Sequence, residues 1–578
     1  MFGKRIWPAV LMAVGATTLM AQAPAPQPQA QTTTAAEEIQ FAWPETREHP
    51  RPKVVGSEPQ YVRPETPEQR KSRLGTPEDP GPDPDANKHF WRFGKSYHIE
   101  KFDRRWEAWD VEQGYVRPIA FANVTKEVYQ LNNRWLWVWI PDQTEVELPP
   151  SPSPYNTEAL VYLRDMRPEF SELNLKASAR KIRFEEASDG LPNSGSWRNG
   201  LAVADMNGDG CADIITPPER KGPQVPAIFL GDCKGHWRFW SEAKWPHGLD
   251  YGNVVAADFN KDGHMDLAFA VHQVGIFVML GDGKGNFTEV SEGLPRNFPT
   301  RRIAVADIDH DGYPDIVALF EGPGPGLRAY YNRHKGTQWE RADIAGPESK
   351  TAGDWLTVAN LTGDRHPDMV AATIYENSNA IVFLSDGPKK WKPVTDPRVV
   401  PYLSSYTANA AGKFSSKKVA DAIVSYVRRW PTDVPADLIP EPPVKSIVGL
   451  DRISFTGAEP KRTPIIRWSG IRGVTGMAVA DFDGDGNLDI LYTRYDPREA
   501  VILLGDGKGG FTKATIEGLK LEPNTNYDVT VADVNGDGKP DVILMYESAA
   551  ATAFAAKDGS IHVFLNRGAE RPVMEAKK

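Results

Sequence analysis

VADFDGDGNLDIL, residues 479–491, puts Asp481, Asp483, Asp485 and Asp489 at positions 1, 3, 5 and 9 of a glycine-containing loop between two apolar runs. The pattern returns as VADMNGDGCADII (203–215), AADFNKDGHMDLA (256–268), VADIDHDGYPDIV (305–317) and VADVNGDGKPDVI (531–543). VANLTGDRHPDMV (358–370) is a weaker copy, and AGKFSSKKVADAI (411–423) is a decayed one. First positions fall at 205, 258, 307, 360, 413, 481 and 533, a spacing of 49 to 53 residues with one interval of 68. A near-constant period of this size, with turn signals in every copy, identifies a repeat architecture.

Each copy reads as four short strands. The acidic loop separates the first two, a third apolar run follows (Ile276–Leu280, Val501–Leu504), and a turn such as Asp-Gly-Lys-Gly at 282–285 leads to the fourth. Four strands per copy predict an all-β fold, a seven-bladed β-propeller with four-stranded antiparallel blades. The last copy stops after its third strand. The fragment 183–192 (RFEEASDGLP) precedes the first copy and matches the fourth strand of the second, 286–295 (NFTEVSEGLP). The early fragment is therefore expected to complete the last blade and close the ring, which leaves no long edge exposed.

The acidic loop is a candidate cation cage. Side chains at positions 1, 3, 5 and 9 and the carbonyl at 7 can converge on one hard cation, and an all-oxygen, carboxylate-rich set suits Ca²⁺ better than Mg²⁺. Five sets are complete: Asp205, Asn207, Asp209, Asp213; Asp258, Asn260, Asp262, Asp266; Asp307, Asp309, Asp311, Asp315; Asp481, Asp483, Asp485, Asp489; and Asp533, Asn535, Asp537, Asp541. They predict about five structural calcium ions. Asn360, Thr362, Asp364 and Asp368 form a weak set. In the decayed copy, Lys413 and Lys417 stand where ligands belong, so an ammonium is expected to replace the ion. EF-hands are excluded, since no Glu occupies position 12 and the flanks read as strands.

These copies resemble FG-GAP/VCBS repeats, the calcium-loop propeller blades of integrin α-subunit heads and of many secreted bacterial proteins. The resemblance covers about 183–568. It implies that the acidic loop joins the innermost strand to the second, that its ion is structural, and that ligands bind the opposite face. The decayed fifth loop and the 68-residue interval depart from the pattern.

On that opposite face the connecting loops carry aromatic and charged residues: Trp197, Arg198, Tyr251, Arg302, Trp355, Tyr375, Trp430, Arg472, Tyr495 and Tyr527. Aromatic rings beside arginines suit a sugar or a peptide patch; the plainer reading is that they cap the ring and dock its neighbours. The reading taken is a secreted, non-catalytic binding module for a glycan or an extracellular protein. The alternative is a calcium-dependent polysaccharide lyase or other carbohydrate-active enzyme. No hydrolase, zincin, Walker or dinucleotide motif occurs, and His272 is the one histidine placed to act as a base.

The rest of the chain frames this. Lys4 and Arg5, the apolar Ile6–Leu19 and Ala21-Gln22-Ala23 read as a signal peptide over 1–23, too short to span a bilayer. Residues 24–85 form a Pro-rich linker expected to be disordered. Residues 86–180 form a small Trp-rich domain or docking segment, in which the alternation of 134–140 predicts a strand and the tryptophans read as core. The propeller takes 181–568 and a tail 569–578. Lys+Arg 67 against Asp+Glu 77 gives a net charge of −10, which excludes nucleic acid as a partner. No transmembrane segment is expected in the mature chain, whose location is periplasmic, cell-surface or extracellular. In such an oxidising compartment Cys211 and Cys233 can pair, because their two turns lie at one end of an antiparallel blade.

Overall fold

In the computed structural model, the described residues are 157–570, apart from 221–223, 273, 297–298, 321–325, 346–352, 365, 374–380, 388, 402–403, 432–438, 458, 523–524 and 548–558, together with six short strands between 60 and 139. Residues Met1–Ser151 and Pro152–Lys578 form two compact bodies. The signal peptide, most of the linker and the tryptophan side chains of 86–139 lie outside the described residues.

In the first body, Gln60–Tyr61, Arg134–Trp139 and Lys126–Leu131 form one three-stranded sheet, and Ile99–Lys101, His89–Trp91 and Ala122–Asn123 form another. The alternating stretch expected as a strand is thus one, paired antiparallel from Lys126↔Trp139 to Leu131↔Arg134.

The second body is a β-propeller. Its described strands fall into seven runs of four antiparallel strands, here called units one to seven. Unit one is Ala202–Ala204, Asp213–Thr216, Ala227–Gly231 and Trp237–Phe239, in the spatial order of the chain. The second strands explain the apolar runs of the repeat. Asp266–Val271 and Asp541–Glu547 are buried at every position, because sheet neighbours flank them and adjacent units cover both faces. A strand buried on both faces must be apolar throughout rather than alternating. Removing one such side chain from water is worth roughly 1.5–3 kcal/mol. Cores form between units: Ile182, Phe482, Leu491 and Val542 join units six and seven, and Leu201, Ile214, Val534 and Ile543 join units one and seven.

Unit seven takes its outer strand from the start of the body. Ala177–Glu186 pairs antiparallel with Ile561–Glu570 (Phe564↔Glu186, Leu565↔Glu185). It also pairs parallel with the outer strand of unit six, Phe511–Glu517 (Ile516↔Ile182), a contact the sequence reading did not anticipate. Units six and seven thereby share one eight-stranded sheet.

Residues 152–180, read from sequence as part of a small Trp-rich domain or docking segment, fall in the same body as the repeats. Helix α1 (Thr157–Met166) and the turn Arg167–Glu169 lie against unit five. Leu163 and Phe170 are buried in the core between units four and five, with the Phe170 ring edge-on to Trp430 at 5.1 Å. Leu173 then bridges to Arg467 on the unit's outer strand. A single ten-residue helix gives little periodic signal, and Trp430, the ring partner of Phe170, lies 260 residues away in the chain.

Candidate metal centres and the opposite face

The acidic loops join first to second strands. Position 1 organises each loop: Asp481 Oδ1 accepts the Gly484 and Asp485 N–H groups at 2.8 and 3.0 Å, and Oδ2 accepts Gly486 N–H at 2.8 Å. Asp205 does the same for Gly208, Asp209 and Gly210. Gly486 sits at φ 86°, a left-handed conformation that glycine alone adopts without strain.

Position 9 does more than the sequence reading assigned to it. Asp489 is buried, and its two oxygens accept Phe482 N–H at 2.8 Å and Gly505 N–H at 2.9 Å, stapling the loop to the third strand. Asp213, Asp266, Asp315 and Asp541 form the same pair of bonds. So does Asp368 in the weak fourth loop. Burial, opposed by these bonds, pushes Asp213, Asp266 and Asp541 up to about 6 and Asp315 and Asp489 up to about 7; neighbouring carboxylates add to the rise.

The donor set fits a hard cation. Oxygens of Asp307, Asp309 and Asp315, and of Asp481, Asp483 and Asp485, lie within 4.8 Å of one another. Carboxylates so close repel by roughly 3–4 kcal/mol per pair at an effective dielectric near 20, which a divalent ion would offset. Asp307 Oδ1 and Asp309 Oδ1 are buried without a hydrogen-bond partner among the described residues. In two loops with Asn at position 3, the amide instead donates to position 5: Asn207 to Asp209 and Asn260 to Asp262, each at 2.9 Å.

The remaining two loops differ. Asn360 turns inward, donating to the Asp364 carbonyl and accepting Gly363 N–H at 2.5 Å. In the decayed loop Lys413 and Lys417 are exposed, which corrects the expected ammonium replacement. The cation beside Asp421 is the Arg452 guanidinium, 3.3 Å away, and Ser415 supplies N–H and hydroxyl bonds at 2.8 and 2.9 Å.

Cys211, at position 7 of the first loop, is disulfide-bonded to Cys233 in the turn between the third and fourth strands of unit one.

At the other end of the strands, the candidate ligand residues separate into two groups. Trp197, Tyr251, Trp355 and Trp430 are buried, so they pack units together and offer no open ring face. Arg198 lies 3.7 Å from Glu547, and Arg302 3.6 Å from Asp528 with its guanidinium over Trp355, tying units three, four and seven. His272 stacks on Tyr251 at 4.4 Å. The side chains of Tyr375 and Tyr527 lie outside the described residues. The open group is on units five and six: Arg472 and Arg498 lie 4.1 and 5.1 Å from the Tyr495 ring centre, beside Ile471, which is 66% exposed.

An FG-GAP-like repeat model matches residues 268–318 and 481–544, and an FG-GAP repeat model matches 525–564. The chain carries FG-GAP repeats. Among curated proteins, human integrin alpha-IIb is 26% identical over 153 residues, covering 20% of this chain and 14% of the integrin. The mouse protein is 28% identical over 154 residues, with the same coverage. The chain thus aligns with about one-seventh of the length of these relatives. Among solved structures, BBS1N in complex with ARL6DN superposes with a TM-score of 0.39 at 11% identity, covering 68% of this chain and 96% of that one. The V. cholerae biofilm matrix protein Bap1 gives 0.35 at 14% identity, covering 66% and 91%. The propeller assignment of this FG-GAP protein rests on its sheet topology and repeats. Among the described residues, no helix is long and apolar enough to cross a membrane.

Proposed function

We propose that this FG-GAP protein is an exported, calcium-stabilised propeller of seven blades that binds an extracellular protein or a glycan through the face opposite its acidic loops. The observation that carries the reading is the Arg472–Tyr495–Arg498 stack beside exposed Ile471. These residues occupy the turns after Lys461–Ser469 and Asp489–Tyr495, at the strand ends away from the loops. Arginine and tyrosine beside an exposed aliphatic side chain form the residue mix that dominates binding hot spots. In this reading the five complete loops hold Ca²⁺, which supplies charge neutralisation and rigidity to each loop. Residues 24–85 serve as a tether, and the Trp-rich segment beginning at 86 is a separate module.

The test is an array of extracellular proteins and glycans probed with the calcium-loaded protein, repeated with Arg472→Ala and Tyr495→Ala. Loss of a hit in both variants supports the reading. Binding that is indifferent to both removes this patch as the site. A 235 nm product signal from an acidic polysaccharide would replace the binding-module reading with the lyase.

A further inference from the structure

Units three and six differ from the other complete loops at position 3, where they carry Asp309 and Asp483 in place of Asn207, Asn260 and Asn535. In both units a guanidinium from outside the loop reaches that additional carboxylate. Arg333, the last residue of the third strand of unit three, has one terminal nitrogen 2.8 Å from Asp309 Oδ2 and the other 3.2 Å from Asp311 Oδ2. Arg180, on Ala177–Glu186, lies 2.6 Å from Asp483 Oδ2, and the Asp483 side chain is only 1% exposed. The two arginines come from different elements: one from the unit's own third strand, the other from the strand that joins units six and seven. They share only the carboxylate they meet.

We infer that Arg333 and Arg180 set the cation affinity of their loops by cancelling the fourth carboxylate. Four carboxylates and one guanidinium present an ion with the same net charge as three carboxylates and an amide, so the loops are matched despite their different sequences. The Arg452–Asp421 pair in unit five carries the same device further: one acidic position remains and a guanidinium lies beside it. The Lys539–Asp537 pair in unit seven is different in kind, because the lysine belongs to the loop itself, at position 7, and meets position 5 rather than position 3. A second consequence follows for unit six. Because Arg180 belongs to the strand shared by units six and seven, the charge state of that loop is coupled to the seating of the strand.

This inference rests on the calcium reading above, and the experiment separates the two. Calcium binding to the full chain, stripped of divalent ions, is measured by calorimetry with a competing chromophoric chelator. The variants are Arg333→Met, Arg180→Met, Asp309→Asn and the double variant Asp309→Asn/Arg333→Met, with exposed Arg238→Met as control. Changing a unit charge in the immediate neighbourhood of a divalent ion alters affinity by about tenfold even at the dielectric of water. Each arginine variant should therefore tighten one site by about tenfold. Asp309→Asn alone should weaken one site by a similar factor, the double variant should return it to wild type, and the control should change nothing. Circular dichroism confirms that each variant is folded; where an arginine variant is not, Asp309→Asn against the double variant carries the comparison. Unchanged or weaker binding in the folded arginine variants, or a double variant no different from Asp309→Asn, overturns the inference and leaves the calcium reading standing. A wild-type chain that takes up no calcium overturns both.

Discussion

Glu169 and Arg428 are 259 residues apart in the chain and 2.6 Å apart in the fold, with the Arg428 side chain wholly buried. Glu169 stands in the turn after α1; Arg428 is in the second strand of unit five, Asp421–Arg429. The Glu169 carboxylate also bonds Arg462, and Arg467 lies 3.7 Å away. Asp451 meets Arg462 from the other side at 2.9 Å. The segment leading into the propeller is thus fixed to the unit whose acidic loop has decayed.

This cluster predicts an acid-sensitive contribution to stability. Burial alone would raise the Glu169 pKa, but the Arg462 hydrogen bond and the charges of Arg428, Arg462 and Arg467 outweigh it and hold it below the usual range. A depressed carboxylate stabilises the fold above its unfolded pKa and loses that contribution as pH falls through the folded value. Glu169→Gln should cost about 3 kcal/mol at pH 7, the scale for breaking a buried pair. The gap in melting temperature from wild type should narrow at pH 3. An equal gap at both pH values would mean that Glu169 is not held as an anion.

The cation loops predict the opposite slope. Burial raises Asp315 and Asp489 to about 7. For a raised carboxylate, stability is fully present below the unfolded pKa near 4 and is lost as pH rises through about 7. Protein stripped of divalent ions by dialysis should therefore melt lower at pH 7.5 than at pH 5, by at least about 5 °C. Calcium should remove that fall, since an ion bound only by the folded state stabilises it by mass action. A calcium-independent melting curve at pH 7.5 would refute the structural-ion assignment.

Asp421 should be costly to remove even though its loop has lost its other ligands. Asp421→Ala strands the mostly buried Arg452 guanidinium and leaves Ser415 N–H without its acceptor. A loss of about 3 kcal/mol in denaturant unfolding is expected, with or without calcium. A loss below about 1 kcal/mol would show that water replaces the carboxylate.

The Cys211–Cys233 bond closes a loop of 22 residues. The chain-entropy relation gives about 3 kcal/mol for a loop of that length. Melting in dithiothreitol should be correspondingly lower, and Cys211→Ser/Cys233→Ser should match the reduced wild type.

What the sequence made legible was local. The acidic positions 1, 3, 5 and 9 lie within one loop, so Asp481–Asp489 announces itself in nine residues, and period 50 exposes the units. The fragment that completes unit seven was found because it repeats a fourth strand. Arg180, Arg333 and Arg452 were missed because nothing in their own surroundings marks them; Arg180 is some three hundred residues from Asp483. The pairing of Asp421 with Arg452, across the sheet, is invisible in sequence for the same reason. Trp197, Tyr251, Trp355 and Trp430 were read either as a ligand patch or as capping and docking residues; they are buried, and residue type in a loop does not say which way the ring turns.

The strand Ala177–Glu186 gives the molecule an assembly order. It leaves the ribosome before any repeat, yet its antiparallel partner Ile561–Glu570 follows every other repeat strand in the chain. Each earlier unit carries all four of its strands in consecutive sequence, so it can form as the chain is synthesised. The final unit cannot, and until it does, the edge of the early strand that receives Ile561–Glu570 stays unpaired. The window between synthesis and closure is therefore when this chain is most exposed to mispairing with its own copies, and a truncation before Ile561 would hold it there permanently.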